Sequence, residues 1–264
     1  MAANEHGLIV RALADAIEAE RPVVVATVVD TRRSVPRHAG TKMLVYGDGE
    51  LLGTVGGGEM ESRVIDEAHA AMRDGRPRLA RFSLVDPGRG DPGVCGGEVE
   101  IYLEPSMPPP TILVAGCGHV GHAVVELAHW LGYTTVATDD RPEQVTVEAV
   151  PLADVRLPGS IEAALHTHPV TADTSVVVVS RNVDYDVDAI PRLLATPARY
   201  IGVMGSARRW ATTRSMLIDD GVTDEQLTRV HAPIGHDIGA ETVEEIAVSI
   251  MAEVIAAARL GEVG

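Results

Sequence analysis

Residues 111–140 read TILVAGCGHVGHAVVELAHWLGYTTVATDD, and this stretch decides the fold of the second half of the chain. An apolar run at 112–115 ends in a glycine-rich turn at 116–121, and apolar residues spaced by three and four continue to Leu131. Gly132 then leads into a second apolar run that two aspartates close. The order strand, glycine turn, helix, strand, acid predicts the first unit of a parallel sheet with helices between its strands.

Each glycine of this turn has its own role if the unit is Rossmann-like. Gly116 allows a tight turn, Gly118 lets the backbone approach a pyrophosphate, and Gly121 lets the helix pack closely on the strand. His119 and Val120 begin the helix, whose unpaired N–H groups and positive dipole end favour a phosphate. The turn therefore predicts a nucleotide-binding site at these five residues. A Rossmann fold with an empty or degenerate site is the alternative.

Asp139 closes the second predicted strand, where a carboxylate can accept hydrogen bonds from ribose hydroxyls. It is therefore a candidate cofactor-binding residue. A free ribose diol beside Asp139 favours NAD over NADP, because a 2'-phosphate would be repelled. Arg141, two residues further on, weakens that preference.

Composition excludes several classes of protein. The chain has 264 residues, of which 45% are hydrophobic, so it is long enough for two domains with separate cores. A formal net charge of -16, with one Phe, two Trp and five Tyr, argues against nucleic-acid binding. Charged residues interrupt the first 20 positions and no apolar run approaches bilayer length, so we expect a cytoplasmic protein without a membrane partner. The two cysteines, Cys95 and Cys117, suit a reducing compartment.

The first half is predicted to be a small α+β domain. Its patterns indicate a helix at 4–20, a strand at 23–29, a hairpin at 41–55, a helix at 59–73 and strands at 78–84 and 98–103. The proline-rich segment 106–110 predicts a stiff linker. The chain is thus expected to divide into an N-terminal domain at 1–105 and a Rossmann-like, doubly wound parallel sheet at 111–264.

Further strands are expected at 154–157, 174–180, 199–204 and 229–231, with helices between them. Ligands of such sheets bind outside the carboxyl ends of the strands, so segments 180–182, 205–206 and 233–239 should face the same crevice as the glycine turn. Ser206 is a predicted helix N-cap and cofactor contact. Arg208 and Arg209 behind it either hold an anion or are solvated. TVEE at 242–245 predicts a capping box at the last helix.

Cys95 lies in a loop rich in glycine and proline, DPGRGDPGVCGG at 86–97. Backbone N–H groups around Gly96 and Gly97 can converge on the thiol, and such surroundings favour the thiolate. A buried cysteine that acts as a small hydrophobic residue is the alternative, and it explains the flanking glycines and prolines poorly. Cys95, Gly96 and Gly97 are therefore candidate cofactor-binding residues.

Two other features of the first half suggest an anion. Segment 32–42 carries five basic residues in an otherwise acidic chain, and Arg37 among them is a candidate contact, although a solvated loop face is the open alternative. Gly57 and Gly58 lead into a predicted helix, which is also anion-binding geometry. The histidines lack a third ligand at metal spacing, so a histidine metal site is not expected.

Six blocks of the sequence together resemble the XdhC/CoxI family. They are RSVPRHAGTKMLV at 33–45, GTVGGGEMES at 53–62, GVCGGEVEIYLEP at 93–105, ILVAGCGHVG at 112–121, YIGVMGS at 200–206 and HAPIGHDIGAETVEEIAVSIMAEVIA at 231–256. The blocks span nearly the whole chain. Two positions depart from the family pattern: Arg33 replaces its usual glycine, and Met60 replaces a residue that is often cysteine.

The resemblance implies a maturation factor for molybdenum hydroxylases such as xanthine dehydrogenase and aerobic carbon monoxide dehydrogenase. Such a protein binds molybdenum cofactor, protects it while a cysteine desulfurase supplies the terminal sulfido ligand, and delivers it to the apo-enzyme. By the same resemblance, Cys95 corresponds to the cysteine thought to hold the cofactor, as a contact to molybdenum. The cofactor is then molybdopterin or its cytosine dinucleotide form, and a homodimer is expected.

Two other functions stay open at this point. An NAD(P)-dependent oxidoreductase would use the Rossmann-like half for its cofactor, although no general acid is evident from the sequence. A nucleotide-sensing module would need only the Rossmann-like half, and the Cys95 loop would then be superfluous.

Overall fold

The structure is a computed structural model, and it describes residues 2–33, 35–83 and 97–260. The chain forms two compact units, Met1–Pro108 and Pro109–Gly264. Each unit has its own sheet and its own buried clusters of apolar side chains.

The first unit is a five-stranded antiparallel sheet in the order β3-β2-β1-β5-β4 with two helices. Its elements are α1 (Ala2–Glu18), β1 (Val23–Arg32), β2 (Lys42–Tyr46), β3 (Leu51–Gly53), α2 (Gly58–Asp74), β4 (Arg78–Ser83) and β5 (Glu98–Ser106). All of these elements agree in type and order with the sequence patterns.

The central strand β1 explains why this sheet is covered on both faces. Val24 and Ala26 contribute to a cluster with α2, whereas Val23 and Val25 contribute to a cluster with Ile9 of α1. Successive side chains of a strand point to opposite faces, so an uninterrupted apolar run needs a helix on each side. The sequence of β1 thus requires both α1 and α2.

Strand β5 continues further than the sequence predicted. It ends at Ser106, which pairs with Val23, whereas the proline-rich linker was expected from residue 106. Its pairing with β4 stops at Leu103, so Pro105 lies where β5 has a neighbour only on the β1 side. A proline is tolerated there because its missing N–H is not needed by a second neighbour.

The second unit is a six-stranded parallel sheet in the order β11-β10-β9-β6-β7-β8. Its strands are β6 (Thr111–Ala115), β7 (Thr134–Asp139), β8 (Val155–Pro158), β9 (Thr174–Val178), β10 (Tyr200–Val203) and β11 (Val230–His231). Its helices are α3 (His119–Trp130), α4 (Ile161–Thr167), α5 (Val183–Leu194), α6 (Ala207–Asp219), α7 (Asp224–Leu227) and α8 (Val243–Leu260). The predicted doubly wound sheet is confirmed.

The position of β6 sets the place of the ligand crevice. The chain leaves β6 toward β7 and β8 on one side and returns to β9, β10 and β11 on the other. The order therefore reverses between β6 and β9, and such a switch point opens a crevice at the carboxyl ends of the two strands. Helices α3 and α8 cover one face of the sheet, and α4, α5 and α6 contribute to the cluster on the other.

Candidate functional site

Two glycines of the turn after β6 are required by the fold itself. Gly116 has a φ of +105°, and a Cβ there would lie 2.9 Å from the carbonyl oxygen of Val179. A Cβ at Gly121 would lie 1.9 Å from the carbonyl oxygen of Gly116, so a side chain would drive α3 off the turn. Both glycines have the structural roles that their spacing predicts.

Gly118 differs, because nothing in the described part of the chain requires it to be glycine. Its φ is -71°, and a Cβ built there would meet no atom within 4 Å. It is the N-cap of α3 and offers no side chain to the N–H groups of the first turn, to which His119 and Val120 belong. The open space beside Gly118 and an uncapped helix end together form a cradle that suits a phosphate.

A cavity of about 340 Å³ adjoins this cradle, within the range of small-molecule sites. It lies between the carboxyl ends of β6 and β9, at the switch point of the sheet. Its lining comprises Gly116, Gly118, Asp139, Asp140, Arg141, Val179, Ser180, Arg181, Asn182 and Tyr185. The structure thus brings segment 180–182 to the glycine turn, as expected.

Asp139 lines this cavity, but its carboxylate is buried and fully engaged. One oxygen accepts from the backbone N–H and Nε of Arg141, both at 2.9 Å. The other accepts from the N–H of Cys117 at 2.7 Å and from Nη2 of Arg141 at 2.9 Å. Burial alone would raise the pKa of Asp139, but these hydrogen bonds outweigh it and hold the pKa below its usual range. The ribose contact predicted for Asp139 would require Arg141 to move.

Cys117 occupies the turn as a buried thiol. Its Sγ lies 3.5 Å from the carbonyl oxygen of Thr138, and burial together with the charge of Asp139 raises its pKa to about 12. A thiol with such a pKa stays protonated at neutral pH and is a poor nucleophile or metal ligand. Its role is therefore to fill the turn with a small side chain.

Ser206 caps α6, since its Oγ accepts from the N–H of Arg209 at 3.2 Å. The guanidinium of Arg209 points inward, where Nη2 lies 2.5 Å from Asp186 and Nη1 donates to the carbonyl oxygen of Ser180 at 2.9 Å. The hypothesis of an anion held between Arg208 and Arg209 is therefore wrong for Arg209, because Asp186 already neutralises it. This buried pair fixes Ser180 at the cavity, and no sequence pattern indicated it.

Segments 205–206 and 233–239 do not line the cavity in the described part of the chain. They follow β10 and β11, one and two strands beyond β9, so the expectation that they share the crevice is corrected. The second segment is instead fixed to α8: the N–H of Gly235 donates to buried Glu253, and Ser249 donates to the carbonyl oxygen of His236 at 2.6 Å. The predicted capping box of α8 is confirmed by reciprocal bonds of Thr242 and Glu245.

In the first unit, Gly57 is the N-cap of α2 and Gly58 its first residue, with φ of +75° and +67°. The N–H groups of Gly57 and Val55 donate to a single carboxylate oxygen of Glu61, at 3.2 and 3.1 Å, and the hydroxyl of Thr54 donates to the same oxygen. The anion that the glycine run was predicted to attract is thus, at Gly57, a side chain of the protein itself.

Arg37 is half-buried and follows Pro36, whose ring lies within 2.8 Å of a Cβ built at Gly56. The structure therefore brings the basic loop to the glycine run before α2. Cys95 and Gly96 lie outside the described residues, and Gly97 is buried just before β5. A cavity of this unit, about 320 Å³, is lined by Arg32, Arg81, Phe82, Ser83, Glu98, Val99 and Glu100.

Other features of the described ranges do not compete with these sites. No cluster of three or more His, Cys, Asp or Glu residues with metal-binding geometry occurs among residues 2–33, 35–83 and 97–260. Over the same ranges, every helix is too short or too polar to cross a membrane. A depression of about 580 Å³ along α5 is lined by Asp184, Val187, Asp188, Pro191, Arg192 and Asp220.

Both units have counterparts in known proteins. Residues 112–254 match the XdhC Rossmann domain, and residues 16–83 match the XdhC and CoxI family. The chain belongs to the XdhC/CoxI family. A crystal structure of a xanthine dehydrogenase from Bacillus halodurans has the same fold, with a TM-score of 0.52 and 22% identity over 94% of this chain and 96% of that one.

Three curated proteins are similar in sequence. The uncharacterized protein YqeB of Escherichia coli (strain K12) is 34% identical over 89% of this chain and 43% of its own length. A probable xanthine dehydrogenase subunit of Bacillus subtilis (strain 168) is 30% identical over 59% of this chain and 45% of its own. The molybdenum cofactor insertion chaperone PaoD of E. coli (strain K12) is 23% identical over 95% of this chain and 88% of its own length. The chain thus spans less than half the length of the first two relatives.

Proposed function

We propose that this protein is a maturation factor for a molybdenum hydroxylase of the xanthine dehydrogenase or carbon monoxide dehydrogenase type. It binds molybdenum cofactor, protects it while a cysteine desulfurase adds the terminal sulfido ligand, and delivers it to the apo-enzyme. Family membership and the similarity to PaoD support this role.

The observation that carries the proposal is the uncapped cradle at Gly118 beside a cavity of about 340 Å³. Molybdopterin ends in a phosphate, and its cytosine dinucleotide form ends in a nucleotide joined through a pyrophosphate. A helix end that the chain leaves uncapped fits such an anion. In this proposal Gly116, Gly118, His119, Val120 and Gly121 surround the phosphates.

Asp139 and Ser206 have supporting roles at this site. Asp139 accepts hydrogen bonds from the N–H of Cys117 and from the side chain of Arg141, and these bonds stabilise the glycine turn. Ser206 caps α6, which carries Arg209 and through it fixes Ser180 at the cavity. Neither side chain needs to touch the cofactor to affect its binding.

We further propose that Cys95, Gly96 and Gly97 are cofactor contacts, with the thiolate of Cys95 as the contact to molybdenum. When bound, the cofactor presents a molybdenum centre with sulfur ligands, and a cysteine thiolate is a suitable soft contact for it. Arg37 would supply positive charge beside Gly57 and Gly58, where the glycine run and the basic loop meet. The N–H of Gly57 already serves Glu61, so Gly58 and Arg37 are the better contacts of this group.

A pair of cysteine variants tests the proposal. The full chain is produced in a host that makes molybdenum cofactor, and the purified protein is assayed for molybdenum and, by mass spectrometry, for released pterin. Cys95→Ser removes the soft contact but keeps the size of the residue, so we expect roughly a tenfold or greater loss of bound molybdenum and failure to activate an apo molybdenum hydroxylase. Cys117→Ser, the matched control, should keep both properties, since that thiol is buried and protonated.

Retention of wild-type molybdenum content and client activation by Cys95→Ser would reject the cysteine as the contact. A wild-type protein that carries no molybdenum or pterin would reject the cofactor-binding function. Sedimentation at micromolar concentration tests the homodimer that the family membership suggests, and a monomer there would remove it.

A second candidate function is supported by the strand order. If β6 to β11 are renumbered 1 to 6, the sheet read from β8 to β11 has the strand order 3-2-1-4-5-6. This order is typical of dinucleotide-binding sheets. NAD(P) could therefore occupy the glycine-turn cavity, either for hydride transfer or for sensing. Turnover of NADH or NADPH by purified protein would support the oxidoreductase, and binding without turnover would support the sensing module.

A further inference from the structure

Three buried polar atoms have no hydrogen-bond partner among residues 2–33, 35–83 and 97–260. They are Oη of Tyr185, Nε of Arg209 and Oγ1 of Thr213. Burying a polar group without a partner is unfavourable, so nearly all such groups in folded proteins are paired. An unpaired atom on a residue that lines a cavity therefore points to a partner from outside the chain.

Of these three atoms, the hydroxyl of Tyr185 belongs to a residue that borders open space. Arg209 and Thr213 line a cleft that is too narrow to hold a water molecule. Tyr185 lines the glycine-turn cavity of about 340 Å³ together with Gly116 and Gly118. The hydroxyl of Tyr185 is thus the one whose partner could be a ligand.

The same cavity has no spare acceptor on Asp139, whose oxygens serve Arg141 and Cys117. Burial raises the pKa of Tyr185, so its hydroxyl keeps its proton and is a hydrogen-bond donor at neutral pH. The ring packs against the apolar cluster under α5, and Asn182 caps the start of that helix. Because the hydroxyl is buried in the ligand-free chain, it meets a ligand when the Tyr185 side chain shifts toward the cavity that it lines.

We propose that Tyr185 is a ligand-contacting residue of the glycine-turn cavity, and that its hydroxyl donates a hydrogen bond to a phosphate or sugar oxygen of a bound nucleoside diphosphate group. The inference rests on the nucleotide-binding part of the proposed function. It names a contact on α5, outside the glycine motif and outside the acid that ends β7. The shared ligand chemistry is a pyrophosphate-linked nucleotide, whether it comes from NAD, NADP or a cytidine nucleotide.

Two matched tyrosine variants test this assignment. Tyr185→Phe removes only the unpaired hydroxyl, so the ligand-free protein should be as stable as wild type or more stable. Tyr200→Phe removes a hydroxyl that donates to buried Glu253 at 2.9 Å, so its melting temperature should fall by about 2–8 °C. Binding is measured by calorimetry on the full chain with NAD, NADP and cytidine diphosphate as separate probes.

For whichever probe binds the wild type, Tyr185→Phe should weaken binding by about 3- to 30-fold, the value of one hydrogen bond to a neutral or charged oxygen. Tyr200→Phe should leave the affinity within about twofold of wild type at a temperature where it is folded. A merely structural tyrosine cannot give this pattern, in which stability is kept and affinity is lost.

Three outcomes would overturn the inference. They are unchanged affinity in Tyr185→Phe, a clearly lower melting temperature of ligand-free Tyr185→Phe, and no binding of any of the three probes to wild type. None of them bears on the molybdenum content of the Cys95 variants, so failure here is distinguishable from failure of the maturation role.

Discussion

The two glycine-rich turns of this chain look alike in sequence but differ in what completes them. Gly57 and Gly58 lead into α2, and Gly116, Gly118 and Gly121 surround the start of α3. At α2, the carboxylate of Glu61 accepts from the backbone N–H groups of Val55 and Gly57. At α3 the N-cap is Gly118, and no described side chain caps the helix.

The difference shows how one local pattern serves two purposes. Glycines before a helix expose backbone N–H groups, and those groups need an acceptor. At α2 the carboxylate of Glu61 accepts from the N-cap residue Gly57, so that donor is already used. At α3 the carboxylate of Asp139 accepts from Cys117, one residue before the N-cap Gly118, and the helix end can still accept a phosphate from a ligand. The residue that the internal carboxylate binds, the N-cap Gly57 at α2 but Cys117 before the N-cap at α3, distinguishes the two turns.

The largest expected effect comes from Gly121→Ala, which tests how tightly the α3 turn is built. Its Cβ would lie 1.9 Å from the carbonyl oxygen of Gly116, and backbone on both sides cannot yield without moving α3. We expect the second unit to lose at least about 3 kcal/mol of stability, measured by urea denaturation.

Gly118→Ala is the matched control for that variant, because its Cβ meets no atom within 4 Å. It should cost less than about 1 kcal/mol. Similar losses for the two alanine variants would show that α3 does not approach β6 as closely as the structure indicates.

A smaller effect is expected from Glu61→Ala, which removes the internal acceptor of the α2 turn. The N–H groups of Val55 and Gly57 then have only water as a partner, and we expect a loss of about 1–2 kcal/mol in the first unit. Glu59→Ala, also in the first turn of α2, is the control, since no described hydrogen bond involves that side chain. Equal losses would mean that the helix dipole, and not the acceptor, accounts for the effect.

Sequence reasoning predicted most of the fold because its strongest signals are local. The alternation in the second unit and the spacing of Gly116, Gly118 and Gly121 are determined by backbone sterics, which a sequence displays directly. The boundary error at Ser106 arose because a proline-rich segment reads as a linker, whereas β1 supplies pairing partners that are distant in sequence.

The candidate site was predicted less completely, for a physical reason. The saturation of Asp139 depends on Arg141 folding back onto it, and the inward turn of Arg209 depends on Asp186 from another helix. Tyr185 carries no motif at all; its importance arises from burial beside a cavity. Glu61 did leave a signal, because an acid shortly after a glycine N-cap is placed to accept from the turn, much as in a capping box.

Gly118→Asp is expected to change stability least. It is also the most direct test of the contrast between the α2 and α3 turns. This variant gives α3 a side-chain acceptor at its N-cap, and the extended backbone at Gly118 (φ -71°, ψ -165°) accommodates an aspartate. An N-cap aspartate should make the ligand-free protein about 1 kcal/mol more stable than Gly118→Ala, and within about 0.5 kcal/mol of wild type.

The same aspartate should abolish stabilisation by nucleotides, because its carboxylate occupies the phosphate position and repels the phosphates of the ligand. Gly118→Ala separates the two causes, since it adds the Cβ without the charge and should keep part of the affinity. Thermal shift with NAD, NADP and cytidine diphosphate measures both quantities in one experiment. If Gly118→Asp is less stable than Gly118→Ala, the first-turn N–H groups of α3 already have an acceptor, and the contrast between the two turns does not hold.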